Sequence, residues 1–493
     1  MASTSTFLSS DLGSSSLPSS CSLPSSAFFA CFAARVFAMS IWDSVYSFGS
    51  QSLCLPVFKA KPALEGLPTE LLILILLEIP DLASLKSIVL SSPIFHQAYL
   101  PVRQETLCGI VKDQWGVLLA DAITATRSCG LLYSTHKHEA IALLDTGRRK
   151  EEIRDLALGS SILIDEPDSP EEIFHLLYLH KVFRFFLDDY AKNVPRPLWM
   201  ENEEWETSVI PIKLSQTEKH RLLRALCRLQ TYEHIFGSPE RPNRDIWIDN
   251  NWNTNQKSSS SMSPNEEAYR VFFGPMPPWE YHEMGCVWTY FKTLFEPIYK
   301  EMTAGLHDLV EKHMSKDDSL HEFFKFLPEE VMPPWGSLQS LHDLEDLPYL
   351  SKSLATMGPD FVYRLLHGTP LIRRDMVMLN AFLGELSNFP LVWLEEEQKL
   401  PFLYPADRHA VRDYEQLWST LPSTEQPNLG WKKLYLLHMP QTPVETLEDV
   451  VDMQGEDGGI WCWGAAIFDD ERLTAWKAPL SEYRSGQFPV IPV

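Results

Sequence analysis

Residues 67–77 read Leu67-Pro68-Thr69-Glu70-Leu71-Leu72-Ile73-Leu74-Ile75-Leu76-Leu77, followed by Ile79-Pro80-Asp81 and a second amphipathic segment from Leu82 through Leu90. Pro68 suits the first position of a helix, where its missing N–H costs nothing and its fixed φ is already helical. Pro80 cannot continue that helix, so the apolar run is bounded at both ends. It is too short to cross a bilayer, which takes roughly 20 apolar residues. A helix that is apolar all round has to be covered on all sides. Leu71, Leu72, Ile75 and Leu76 can share one face, while Ile73, Leu74 and Leu77 point elsewhere. Full burial of one such side chain is worth roughly 1.5–3 kcal/mol. A unit of about 40 residues cannot easily cover both faces alone, so this segment asks for a second surface, from the chain itself or from a partner.

The order LPTELLILILLEIPDLASLKSIVLSSPIFHQAY (67–99) resembles an F-box, the small helical module that docks a protein onto a ubiquitin-ligase scaffold. The stretch SSPIFHQAYLPVRQETLCGIVKDQWGVLLADAITATRS (91–128) is similar to the segment after the F-box in a family of filamentous-fungal F-box domain-containing proteins. Further echoes are RLLRALCRLQTYEHIFG (221–237), PPWEYHEMGCVWTYF (277–291) and WGAAIFDDERLTAW (463–476). The sequence departs from the usual pattern at Pro93-Ile94, where many relatives carry basic residues. The resemblance implies that Leu67, Pro68, Leu71, Leu72, Ile75, Leu85, Val89 and Phe95 supply the surface that meets a Skp-family adaptor, or its immediate support.

The 493 residues include 66 acidic and 42 basic side chains, a net charge of −24. That argues against non-specific nucleic-acid binding, which needs clustered Lys and Arg, and against anionic membrane surfaces. The eight cysteines, Cys21, Cys31, Cys54, Cys108, Cys129, Cys227, Cys286 and Cys462, form no C-x-x-C pair. Scattered this way in a long chain they read as free thiols of a reduced, intracellular protein, in the cytoplasm or nucleus. Residues 2–26 are Ser-rich and cannot build a core. The apolar stretch 27–34 is preceded by Asp11 and by no Lys or Arg, so a targeting signal is not expected. Residues 1–63 read as a disordered tail, or as sequence lying before a start at Met39.

Beyond residue 110 the chain reads as mostly helical. Ser215 and Glu218 make a capping box, and Leu222, Ala225, Leu226, Leu229, Tyr232 and Phe236 form an apolar stripe that Gly237 ends in the left-handed conformation. Helices are also expected over 171–190, with Ile173, Leu176, Leu177, Val182, Phe183 and Phe186 inward, and over 281–299, kinked near Pro297. Residues 250–267 form a polar loop, and the stretch 461–476 adds strands or a terminal helix. No repeat of fixed period is present. The fold class is therefore mainly α: a three-helix module at 64–108 and a large, predominantly helical domain at 109–493.

Catalytic motifs are absent: no G-x-S-x-G, no G-x-x-x-x-G-K-[ST] and no G-x-G-x-x-G occurs. The pairs His138-Glu139, His282-Glu283 and His321-Glu322 lack the second histidine of a zinc-protease helix, since Ala142, Cys286 and Lys325 stand there. His136 and His138 form a pair without a third ligand. Glu395-Glu396-Glu397 and Asp469-Asp470-Glu471 read as solvated charge runs. Trp279, Trp288, Trp335, Trp461 and Trp463 could anchor a partner, with core packing the plainer explanation. No cofactor or metal is expected. The first expectation is a non-catalytic substrate receptor, binding the adaptor, and through it a cullin, by the module and an unknown target protein by the body. A scaffold acting outside the ligase comes second, and an enzyme with an unrecognised site third.

Overall fold

The computed structural model describes residues 64–145, 166–237, 240, 269–313, 354–380, 421–438 and 461–480. Of these, 71% are helical and none lies in a strand, so among the described residues the chain is mainly α. The expected tail at 1–63, the polar loop at 250–267, Trp335, the His321-Glu322 pair and the Glu395-Glu396-Glu397 run lie outside the described residues.

Three short helices open the described chain. Helix α1 covers Thr69–Leu77, so Pro68 stands just before its first turn, with ψ 147° and no side-chain cap, and not in the first helical position as expected; Glu78 closes the helix by donating its N–H to Leu74 O. Pro80 then forces a break. Asp81 caps α2, Leu82–Ser91, accepting from the Ser84 N–H at 2.9 Å and from Ser84 Oγ at 2.7 Å. Those bonds hold the Asp81 carboxyl below its ordinary range. Ser92 caps α3, Pro93–Tyr99, by accepting from the Ile94 N–H, with Pro93 in the first helical position. The inward side chains are Leu72 and Leu76 of α1, Leu85 and Val89 of α2, and Phe95, Ala98 and Tyr99 of α3.

A single turn at Leu100–Val102 leads into α4, Arg103–Trp115, which packs on α1. The boundary expected at residues 108–109 falls inside this helix, so the module passes into the body without a linker. Helix α5 spans Leu119–Arg127, and α6 spans Pro170–Asn193 behind a Ser169 cap that accepts from the Glu172 N–H at 3.1 Å. All six side chains expected to face inward from α6 are buried. Trp115 Nε1 donates to Leu176 O at 3.3 Å and sets its ring edge-on to Phe183, which fastens α4 to α6.

The centre of the body is α7, Gln216–Phe236, which packs against α5, α6, α8 (Pro278–His313) and α9 (Gly358–His367). Its capping box forms as the sequence predicts, and Leu222, Ala225, Leu226, Leu229, Tyr232 and Phe236 are all buried. Its end differs from expectation. Gly237 has φ −73° and ψ 171°, an extended conformation and not a left-handed one. A glycine is needed there for room: a Cβ would stand 2.5 Å from Glu233 O. Helix α8 also runs beyond the expected end at 299, through Pro297 to His313.

Helices α10 (Pro370–Asn380), α11 (Leu429–His438) and α12 (Asp470–Ala475) follow α9 among the described residues, and shorter helical turns stand at Asn202–Glu204, Trp205–Val209 and Tyr269–Phe273. Residues 461–468 are turns, not strands, and bury Trp461, Trp463, Ile467 and Phe468.

Candidate partner-docking surface

The eight residues assigned to adaptor docking divide into two groups. Leu72, Leu85, Val89 and Phe95 are buried in the core that the first helices share with the body. Pro68 and Leu71 are exposed, and Leu67 and Ile75 are half-buried. Leu71 is 44% exposed and Leu74, one turn on, 57% exposed. The face expected to unite Leu71, Leu72, Ile75 and Leu76 is therefore split: Leu72 and Leu76 turn inward, Ile75 is half-buried, and Leu71 lies with Leu74 on the exposed side. Leu74 is not among the eight, nor are Leu64, Leu90, Ile94 and Leu100, yet all of these are exposed. A helix apolar on every face carries no periodic signal to separate inner from outer leucines. Leu90 lies one turn from exposed Lys86 on the outer side of α2, away from buried Leu85 and Val89, and Ile94 follows the Ser92-Pro93 turn.

A small groove opens where α2, α3 and α4 meet the start of α6. Leu82, Leu85, Val89, Leu90, Leu107 and Phe174 supply its apolar lining, and its volume is about 60 Å³. Its remaining lining residues are Lys86, His96, Tyr99 and Arg103. Burial pushes the Tyr99 phenol up, against the pull of the Arg103 guanidinium beside it. Arg103 also lies over the Phe174 ring, 5.4 Å from its centroid, so the cation is held by a contact between module and body.

The polar constellations of the body are structural. On α7, Arg224 is 1% exposed and grips Glu283 with two bonds, Nε–Oε2 at 3.0 Å and Nη2–Oε1 at 2.8 Å. Its Nη1 reaches Glu425 at 2.7 Å and Glu280 at 3.0 Å. Arg228 binds Glu280 and lies near Asp121. Four carboxyl groups, of Glu280, Glu283, Glu425 and Asp121, thus crowd two guanidiniums. Burial is the main cause that pushes Glu280 up to about 8, outweighing Arg224 and Arg228. Glu218 doubles as helix cap and buried anchor: besides the Ser215 N–H it accepts from the Asp469 N–H at 3.0 Å and from Arg472 at 2.6 and 2.8 Å.

These contacts correct part of the sequence reading. Asp469-Asp470-Glu471 is not a solvated run, because only Glu471 is exposed. Asp469 accepts from Ser215, from Thr217 at 2.7 Å and from Arg221 at 2.9 Å. Burial pushes its carboxyl up, but those donors prevail and hold it low. Asp470 accepts from the Leu429 N–H. Neither residue's partner is close in sequence, which is why no local pattern revealed them.

The His282-Glu283 pair is fully buried. Glu283 belongs to Arg224, and His282 Nδ1 accepts from Trp461 Nε1 at 2.8 Å, while burial lowers the imidazole to about 3 and keeps it neutral. Trp461 lies so close to α8 that a Cβ on Gly285 would fall 2.2 Å from its ring. Trp279, Trp288 and Trp463 are core residues likewise. His136 shares a hydrogen bond with Thr135 Oγ1 at 2.9 Å. Among the described residues no group of three His, Cys, Asp or Glu side chains could hold a metal ion, and no helix is long and apolar enough to cross a membrane.

Compared with models of protein families, with curated proteins and with solved structures, the chain matches none of them. The functional reading therefore rests on the residues and their placement.

Proposed function

We propose that the chain is a substrate-receptor subunit of a cullin-type ubiquitin ligase: the module at 64–108 binds a Skp-family adaptor, and the helical body holds a target protein. One observation carries the reading. Ten large apolar side chains are exposed among the described residues, and six of them, Leu64, Leu71, Leu74, Leu90, Ile94 and Leu100, lie in this one small module. Scattered apolar side chains on a surface are ordinary, but concentration in one unit marks a binding site. Leu72, Leu76, Leu85, Val89 and Phe95 already join the core that continues into the body, so the outward leucines are left for a partner. The order of prolines and leucines that resembles an F-box supplies the partner's class.

The test is co-purification of a Skp-family adaptor with the full chain and with a variant carrying Leu71→Asp and Leu74→Asp. Both side chains are exposed, so helical content and melting temperature should be unchanged. Adaptor recovery should fall more than tenfold, since two desolvated carboxylates face an apolar partner. Undiminished recovery from the double variant would overturn the proposal.

A further inference from the structure

The groove between module and body has an unusual charge for this chain. Acidic residues outnumber basic ones by 66 to 42 overall, yet none of the ten lining residues is a carboxylate and three are Lys86, His96 and Arg103. Lys86 is exposed and makes no ion pair among the described residues. Arg103 is held in place over Phe174. At physiological salt, charges beyond about 8 Å are largely screened, so a ligand in the groove responds mainly to the side chains that line it, Lys86 and Arg103 among them. The floor is apolar and about 60 Å³ in volume. An apolar cavity of about 150 Å³ accepts benzene, so this smaller one suits a single aliphatic branch better than an aromatic ring.

We infer that this groove is a peptide-binding site, which takes one aliphatic side chain of a protein partner flanked by aspartate or glutamate. The aliphatic group enters between Val89, Leu107 and Phe174, and the acidic neighbours meet Lys86, His96 and Arg103. This site differs from the outward face of α1: Leu71 and Leu74 do not line it. It stands whether or not the adaptor reading does.

The experiment is a selection from a random peptide library displayed on phage, against the full chain, repeated against Lys86→Glu and against the Leu71→Asp/Leu74→Asp variant. Enriched peptides should pair a single Leu, Ile, Val or Met with acidic neighbours. A synthetic fluorescein-labelled peptide of that pattern should bind about tenfold more weakly to Lys86→Glu, lose affinity as salt is raised, and be unaffected by the α1 variant. Lys86 is exposed, so its variant folds normally by circular dichroism. Absence of enrichment, enrichment with no acidic bias, or peptides indifferent to Lys86→Glu would each overturn the inference. Loss of binding in the α1 variant alone would place the peptide on the other face and overturn it too.

Discussion

Replacing Arg224 with leucine tests whether the buried ions organise the body. Leucine retains part of the volume, so the principal loss is of charge and hydrogen bonding. Three carboxylates lose a partner at once: Glu283 loses two bonds, of 3.0 and 2.8 Å, Glu425 one of 2.7 Å, and Glu280 a contact of 3.0 Å, although Arg228 still binds it. Glu283 is 1% exposed and has no route to water. Removing one member of a buried pair typically costs about 3–5 kcal/mol, because the other is left charged in a poor solvent. Total stabilities are about 5–15 kcal/mol, so the variant should lie near the edge of folding. Guanidinium unfolding of the full chain, followed by far-ultraviolet circular dichroism, should show a markedly lower midpoint. Adding Glu283→Leu should recover stability, since the orphan is then gone. A single variant within about 1 kcal/mol of the parent would refute the reasoning. If Glu283→Leu brought no recovery, lost packing and not stranded charge would be the cause.

Gly285→Ala should destabilise the body by about 1–3 kcal/mol through overpacking, because the new methyl meets the Trp461 ring; unchanged thermal melting would contradict that contact. Leu72→Ala should cost about 2–5 kcal/mol and Leu71→Ala well under 1 kcal/mol, given their 1% and 44% exposures; equal losses in denaturant titration would show that the inner and outer faces of α1 are misassigned. Glu280, raised to about 8 from an ordinary 4.5, keeps a proton in the folded chain that the unfolded chain releases. Stability should therefore fall as pH climbs through that window. Glu280→Gln should flatten this dependence, and a parallel pH–stability profile for parent and variant would exclude Glu280 as its source.

What the sequence made legible was local. The Ser215–Glu218 capping box, the stripe of α7 and the inward residues of α6 follow from spacings of three and four, and each is found in place. The prolines at 68 and 80 and the Ser92-Pro93 turn delimit three helices for equally local reasons. What was not legible depends on contacts far along the chain. Arg221, Arg224 and Glu218 look like the wet side of an amphipathic helix, yet they are buried, because their partners come from α8, from Glu425 and from residues 469–472. The end of α7 departs from its sequence signal since glycine after a helix usually serves its backbone freedom, whereas Gly237 serves close packing on Glu233. The outer leucines of the module carry no signal of their own because a uniformly apolar helix has no preferred face until its neighbours are known.

The continuity of α4 across the junction has a mechanical consequence. At 1.5 Å per residue its 13 residues make a rod of about 20 Å, rooted in the module at one end and clasped to α6 through Trp115 at the other. Whatever binds the first three helices therefore also sets the bearing of α6, since α4 joins the two without a break. The surface of α6 is thereby carried at a fixed distance and angle from the first three helices, an orientation that needs no further loss of entropy.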